Sequence, residues 1–235
     1  MNHQDGLKDF AKRAAGNANA DFLYKFASSY LINSEFEGNY TPISSYNTSA
    51  VNYLRALHWM AKAAELGHAQ AQYSLGRLYN VGWRANERDV QKSIKWNKKA
   101  ALQGHAGAIH VVAESFLEQD NYEKALENYS IAAEKGNESS QVRLGEFYSL
   151  YCEEMGVPKD NAKAIFWFQK AAELKNGEAC YWLAWHYFDG EGAEKDLNKA
   201  KYWAIKANEE LSTSATLGLI STINAELDDL SEEES

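Results

Sequence analysis

Residues 71–101 read AQYSLGRLYNVGWRANERDVQKSIKWNKKAA, and this stretch carries the pattern that recurs along the chain. It begins with an alanine, a leucine–glycine pair and a tyrosine at helical spacing. It continues through a glycine-containing loop and ends with a lysine, a tryptophan and an alanine pair. Residues 179–200, ACYWLAWHYFDGEGAEKDLNKA, repeat the same order with small variations. Because a period in the thirties built from helix-forming residues indicates stacked pairs of helices, the pattern predicts an all-α solenoid.

The turns between the predicted helix pairs are marked by Gly67, Gly104, Gly136 and Lys175. They lie 37, 32 and 39 residues apart by subtraction. Glycine suits such a position because it readily takes the left-handed backbone conformation that ends a helix. We therefore predict that the second helix of one pair ends at each of these residues and that the first helix of the next pair begins just after it.

The predicted first helices share one spacing, seen at Ala71, Leu75 and Tyr79, which places three residues on one face. Gly76 follows the central leucine, and glycine inside a helix costs about 1 kcal/mol relative to alanine. Its recurrence therefore predicts close approach of a neighbouring helix. We expect the large aromatic residues of the second helices to supply large buried areas; they are Trp59, Trp96, Trp167 and the Tyr202–Trp203 pair. We expect N-caps, or first-turn acids, of second helices at Asp89, Asp160 and Asp196.

This pattern resembles the Sel1-like repeat family, a relative of the tetratricopeptide repeat. The resemblance is clearest in residues 179–200 and 140–172 and covers roughly residues 50 to 210. It implies a right-handed α-solenoid of about five antiparallel helix pairs with capping helices. The third repeat departs from the family pattern, because a tight turn at residues 120–122 replaces the long loop.

The domain organisation predicted from the sequence is a single solenoid over residues 1–227. An N-terminal cap is expected at 1–16, an insertion loop at 34–50 and a C-terminal capping helix at 212–227. The acidic residues 228–235 are expected to form a flexible tail. A loop as long as 34–50 in a compact array is either functional or disordered, and the sequence leaves both alternatives open.

The composition narrows the range of partners and locations. The net charge of −9 argues against wrapping of nucleic acid, which requires a basic face. No stretch reaches the roughly 18 apolar residues of a membrane span, and the N-terminus lacks the pattern of a secretory signal. We therefore expect a cytoplasmic protein without nucleic-acid or membrane partners. The two cysteines, Cys152 and Cys180, are expected to be reduced thiols.

The motifs of catalysis and cofactor binding are missing from the sequence. It contains no phosphate-binding glycine–lysine loop, no His-Glu-x-x-His and no nucleophile elbow. The six histidines lack the spacing of metal ligands. We therefore predict no enzymatic activity, no cofactor and no metal site.

The candidate binding residues rest on the resemblance, because the first helices of tetratricopeptide repeats line a concave face. The first-helix positions outside the core stripe are Tyr73, Arg77, Asn80, His110, Glu114, Val142, Glu146, Tyr181 and Trp185. Exposed aromatic residues in a groove are typical binding anchors, which draws attention to the last two. The alternative, left open here, is that the last repeat and the cap cover both.

The resemblance and these residues favour a non-enzymatic interaction module of bacterial type that holds a protein or peptide on its concave face. A narrower hypothesis is an immunity or antitoxin-like protein that neutralises a basic toxin, motivated by the acidic balance. A remote alternative is a self-assembling scaffold. The oligomeric state is left open, with a monomer preferred.

Overall fold

The computed structural model describes residues 19–32, 50–82, 88–150, 156 and 158–233. These residues form eleven α-helices and no strand, as predicted. In chain order the helices are α1 (Ala20–Ile32), α2 (Ala50–Glu65), α3 (Ala69–Val81), α4 (Val90–Leu102), α5 (Ala106–Leu117), α6 (Tyr122–Glu134), α7 (Glu138–Ser149), α8 (Asn161–Glu173), α9 (Gly177–Asp189), α10 (Leu197–Leu211) and α11 (Ser214–Glu233). The predicted N-terminal cap and residues 34–49 of the predicted insertion lie outside the described residues.

The chain divides into two compact units, Met1–Ser115 and Phe116–Ser235. The first unit contains α1 to α4 and most of α5, and the second contains α6 to α11. Within the first unit α2 packs against α1 and α3, and α3 packs against α4. Within the second unit each helix from α7 to α11 packs against its predecessor. The single solenoid domain predicted from the sequence stays a prediction.

The predicted turn residues take the left-handed conformation. The backbone angle φ is 89° at Gly67, 80° at Gly104 and at Gly136, and 65° at Lys175. The residue after each turn then caps the next helix. Its side chain accepts a hydrogen bond from the backbone N–H three residues further on; these caps are His68, His105, Asn137 and Asn176. The turn and the cap together explain why each first helix begins where the spacing predicts.

Three of the second helices, α4, α8 and α10, begin with a clasp in which an aspartate, a lysine and a tyrosine meet. Asp160 accepts a hydrogen bond from the backbone N–H of Lys163 at 3.0 Å and pairs with its ammonium group at 3.0 Å. That ammonium group lies 5.2 Å from the ring centroid of Tyr148. The N–H of Lys163 lowers the pKa of the Asp160 carboxyl. The same clasp occurs at Asp89, Lys92 and Tyr79 and at Asp196, Lys199 and Tyr187.

Two first helices, α3 and α7, have a glycine after the central leucine, and each glycine lies where two helices nearly touch. A Cβ atom at Gly76 would lie 2.9 Å from Cγ of Asn97, and one at Gly145 would lie 2.6 Å from two ring carbons of Phe168. The prediction of close helix approach is therefore confirmed. The two glycines let α3 pack on α4, and α7 on α8, at a distance that a larger residue forbids.

The tryptophans of the second helices are less deeply buried than the sequence analysis expected, and Tyr202 is 54% exposed. All four tryptophans are partly buried, and Trp59, Trp96 and Trp203 pack against core clusters. The fully buried position is the next residue along each helix; these residues are Met60, Asn97, Phe168 and Ala204. Two of these residues, Asn97 and Phe168, lie against Gly76 and Gly145 on the first helix of the same pair.

Helix α11 is longer than the predicted C-terminal cap, since it continues to Glu233. Residues 228–233 are therefore helical, which corrects the prediction that the flexible tail begins at 228. Leu227 packs against the cluster formed by Leu219 and Ile223, so the helix is anchored close to its end. No glycine or proline lies between Leu227 and Glu233 to interrupt the helix. None of the helices described has the length and apolar character needed to cross a membrane.

Candidate functional site

In the first unit, the candidate residue Tyr73 lies on α3 and covers the start of α5. Its ring stacks on His105, with centroids 4.4 Å apart and the rings inclined by 29°. A Cβ atom at Gly107 would lie 2.9 Å from Cζ of Tyr73, so the glycine makes room for the ring. The guanidinium of Arg77 lies 5.9 Å from the centroid of Tyr73. These side chains form a continuous, partly buried surface that combines an aromatic ring with a positive charge.

The other candidates of the first unit have polar partners within it. Asn80 accepts a hydrogen bond from Arg88 at 3.2 Å, and His110 lies 3.8 Å from the carboxylate of Glu114. Glu114 and His110 are both partly buried. The sequence placed these residues on the first helices correctly, and the structure adds that their polar atoms already have neighbours.

His105 stabilises the start of α5, and its hydrogen bonds determine which ring nitrogen carries the proton. Nδ1 accepts a hydrogen bond from the N–H of Ala108 at 3.2 Å, and Nε2 lies 2.8 Å from Oε1 of Gln70. Because Nδ1 must accept and the Gln70 oxygen can only accept, the ring is neutral with its proton on Nε2. Burial lowers the pKa of His105, which favours the same neutral form. The described part of the chain contains no cluster of metal-ligating side chains.

In the second unit, an aromatic ladder runs along α9. Tyr181 and Trp185 meet edge to face with centroids 6.4 Å apart, and Trp185 meets Phe188 in the same way at 5.6 Å. The three rings pack against the core cluster that contains Leu219 and Ile223 and are partly buried. The sequence analysis left open whether Tyr181 and Trp185 are exposed or covered by the cap. The structure lies between these alternatives, because each ring is partly covered and partly exposed.

Two candidate binding residues of the second unit, Val142 and Glu146, are buried rather than exposed. Val142 is only 4% exposed and belongs to the core cluster with Ile165 and Phe168. Glu146 is 6% exposed and its carboxylate lies 3.0 Å from Arg143. Val142 is therefore removed from the candidate surface, because its short side chain does not reach beyond its neighbours as a tyrosine does.

The sequence analysis missed a polar network around the glycine loop that follows α9. Nδ1 of His186 lies 2.8 Å from the backbone oxygen of Glu191. The carboxylate of Glu191 accepts hydrogen bonds from Lys159 at 3.0 Å and from Asn161 at 2.9 Å. The neighbouring Lys159 lowers the pKa of Glu191. Only the two glycines of the loop hinted at this contact, because the partners are about thirty residues apart in the sequence.

The repeats seen in the sequence and the structure match those of a known family. The Sel1 repeat matches this chain five times, over residues 47–68, 69–105, 114–137, 139–176 and 177–210. The chain belongs to the Sel1 repeat family. The resemblance stated from the sequence is thereby confirmed, and the fold is the all-α repeat fold of this family. Sel1 repeats are protein-interaction modules.

Solved structures and curated proteins of this repeat family resemble the chain over most or part of its length. The protective antigen c5321 of uropathogenic Escherichia coli is 26% identical with a TM-score of 0.73, covering 92% of this chain and 44% of that protein. A Sel1 repeat protein of Oxalobacter formigenes is 29% identical with a TM-score of 0.66, covering 84% and 76%. Chitin synthase regulatory factor 3 of Schizosaccharomyces pombe is 28% identical over 157 residues. That alignment covers 62% of this chain and 17% of the fungal protein.

Proposed function

We propose that this Sel1 repeat chain is a non-enzymatic adaptor that holds a segment of a partner protein on the exposed surface of its first helices. The observation that carries the proposal is the aromatic ladder of Tyr181, Trp185 and Phe188 on α9. Partly exposed aromatic side chains on a rigid helix are efficient anchors, because they bury a large area and have few torsions to order. The packed inner edges keep the ladder preformed, so binding does not require the helix to reorganise.

The first unit supports the same role with a different chemistry. Tyr73 is held by His105 from one side, and Arg77 lies near its ring. Such a surface accepts an apolar side chain on the ring and a carboxylate or carbonyl oxygen at the guanidinium. The regulatory names of relatives such as chitin synthase regulatory factor 3 agree with an adaptor role.

Site-specific photo-crosslinking tests the proposal while keeping the aromatic bulk. A photoreactive phenylalanine analogue is introduced at Tyr181 or Trp185, and in a separate control at Phe166, which is 49% exposed on α8. We expect a discrete cross-linked protein from the host lysate at the two α9 positions and none at the control. Equal products at all three positions, or products at Phe166 alone, would place the partner elsewhere and refute the proposal.

A narrower form of the proposal is that the partner is basic, as for an immunity protein that occludes a toxin. The net charge of −9 favours it, because charge complementarity accelerates association and selects partners. Its test is the salt dependence of binding to the cross-linked partner. Association rates that fall by about tenfold or more between low and physiological salt support it, and rates that do not change with salt contradict it.

A further inference from the structure

Helix α4 of the first unit carries a basic stripe on the face that points away from α3. Ser93, Asn97 and Ala100 are buried on the side that packs against α3. The opposite side consists of exposed residues, and four of them are lysines; the lysines are Lys92, Lys95, Lys98 and Lys99. A stripe of four positive charges stands out in a protein with a net charge of −9.

The stripe differs from the other second helices because α4 contains no acidic residue. The helices α2, α6, α8 and α10 each contain at least one glutamate. Lys92 pairs with the capping Asp89, and the ammonium group of Lys99 lies 4.2 Å from the ring centroid of Trp96. In the described part of the chain, Lys95 and Lys98 form no ion pair. The positive charges of Lys95 and Lys98 are therefore not neutralised by any acidic side chain of α4.

An apolar side chain ends the stripe. Leu102 is 90% exposed and lies one turn beyond Lys98 and Lys99, on the same face of the helix. From Lys92 to Leu102 the stripe is about 15 Å long at 1.5 Å per residue. A row of positive charges that ends in an apolar residue is complementary to a segment with several carboxylates and one apolar side chain.

We propose that the exposed face of α4 is a second docking surface, which binds an acidic segment of a partner protein. An acidic segment in contact with α4 meets the ammonium groups of Lys95 and Lys98 directly, whereas exposed charges beyond about 8 Å are screened at physiological salt. Leu102 adds an apolar contact that distinguishes a matching segment from a simple polyanion. Since α4 is a second helix and the candidate residues lie on first helices, this docking surface shares no residue with the candidate site.

Fluorescence anisotropy with a short labelled peptide of alternating glutamate and leucine tests the docking surface on the whole chain. We expect saturable binding that Lys95→Glu/Lys98→Glu weakens by about tenfold or more. The control Lys135→Glu/Lys170→Glu makes the same charge change on exposed lysines of the second unit and is expected to weaken binding by about twofold at most. Leu102→Ser is expected to weaken binding severalfold with an unchanged melting temperature, because its side chain is exposed.

Several outcomes would overturn this proposal. Equal weakening by both double variants would mean that only net charge matters. Binding of anionic phospholipid vesicles but not of the peptide would mean a membrane surface instead. Self-association that Lys95→Glu/Lys98→Glu abolishes would identify a second copy of the chain as the occupant. Photo-crosslinking at Trp185 should be unchanged in the α4 variant, because Lys95 and Lys98 are not among the residues proposed to hold that partner.

Discussion

Replacing Gly145 with alanine measures how much the close packing of α7 on α8 contributes to stability. The new Cβ atom would lie 2.6 Å from Cδ1 and from Cζ of Phe168, well inside van der Waals contact. Phe168 is fully buried, so its ring has no free space to move into. Either the two helices separate or the ring leaves its preferred rotamer, and both changes weaken the core of the second unit.

The expected magnitude follows from two opposing effects. Alanine is favoured over glycine within a helix by about 1 kcal/mol. Overpacking of a well-filled core costs about 1–3 kcal/mol, and here a rigid ring rather than a flexible chain end is displaced. We therefore expect Gly145→Ala to lower the free energy of unfolding by about 1 kcal/mol. Gly218→Ala is the matched control, because no atom lies within 4 Å of a Cβ at that position, and it should raise stability by up to about 1 kcal/mol.

Urea denaturation followed by far-UV circular dichroism gives the comparison. The two variants should shift the midpoint in opposite directions at an unchanged slope. Adding Phe168→Leu to Gly145→Ala should cost less than the sum of the single variants, because the smaller side chain relieves the clash. If Gly145→Ala is as stable as the wild type or more stable, helix propensity outweighs packing at this position and the argument from close approach is wrong.

Three further predictions concern single side chains. Burial lowers the pKa of His105, so the imidazole binds a proton less readily in the folded chain than in the unfolded chain. The contribution of this residue to the free energy of unfolding should therefore be complete above about pH 6.5 and decrease at lower pH. His105→Asn should flatten this pH dependence in melting curves. Burial raises the pKa of Cys180 to about 11, so in a Cys152→Ser background the thiol should react with Ellman's reagent only after unfolding. Phe168→Ala should lower the free energy of unfolding by about 3–5 kcal/mol, and the neighbouring Phe166→Ala by about 0.5 kcal/mol or less, in the same urea assay.

The candidate site shows which residues sequence reasoning could locate. Tyr73, Tyr181 and Trp185 were placed on the first helices by their spacing, and all three are partly exposed there. Val142 occupies an equivalent position but is buried, because exposure at this position depends on side-chain length and on the residues that pack over it. The basic stripe of α4 can be read from its lysines once the buried side of the helix is known. The contact of Glu191 with Lys159 had no local signal.

The sequence alone determined the repeat, the helix boundaries at the turns and the caps. These features depend on hydrogen bonds between residues a few positions apart, such as the bond from Lys163 to Asp160, and therefore appear as fixed spacings. The tertiary structure decided which face of each second helix is buried, so that Phe168 rather than Trp167 fills the core. That choice depends on how one helix is rotated against the next. The rotation is set by close contacts such as the one at Gly145, between residues that the spacing does not relate.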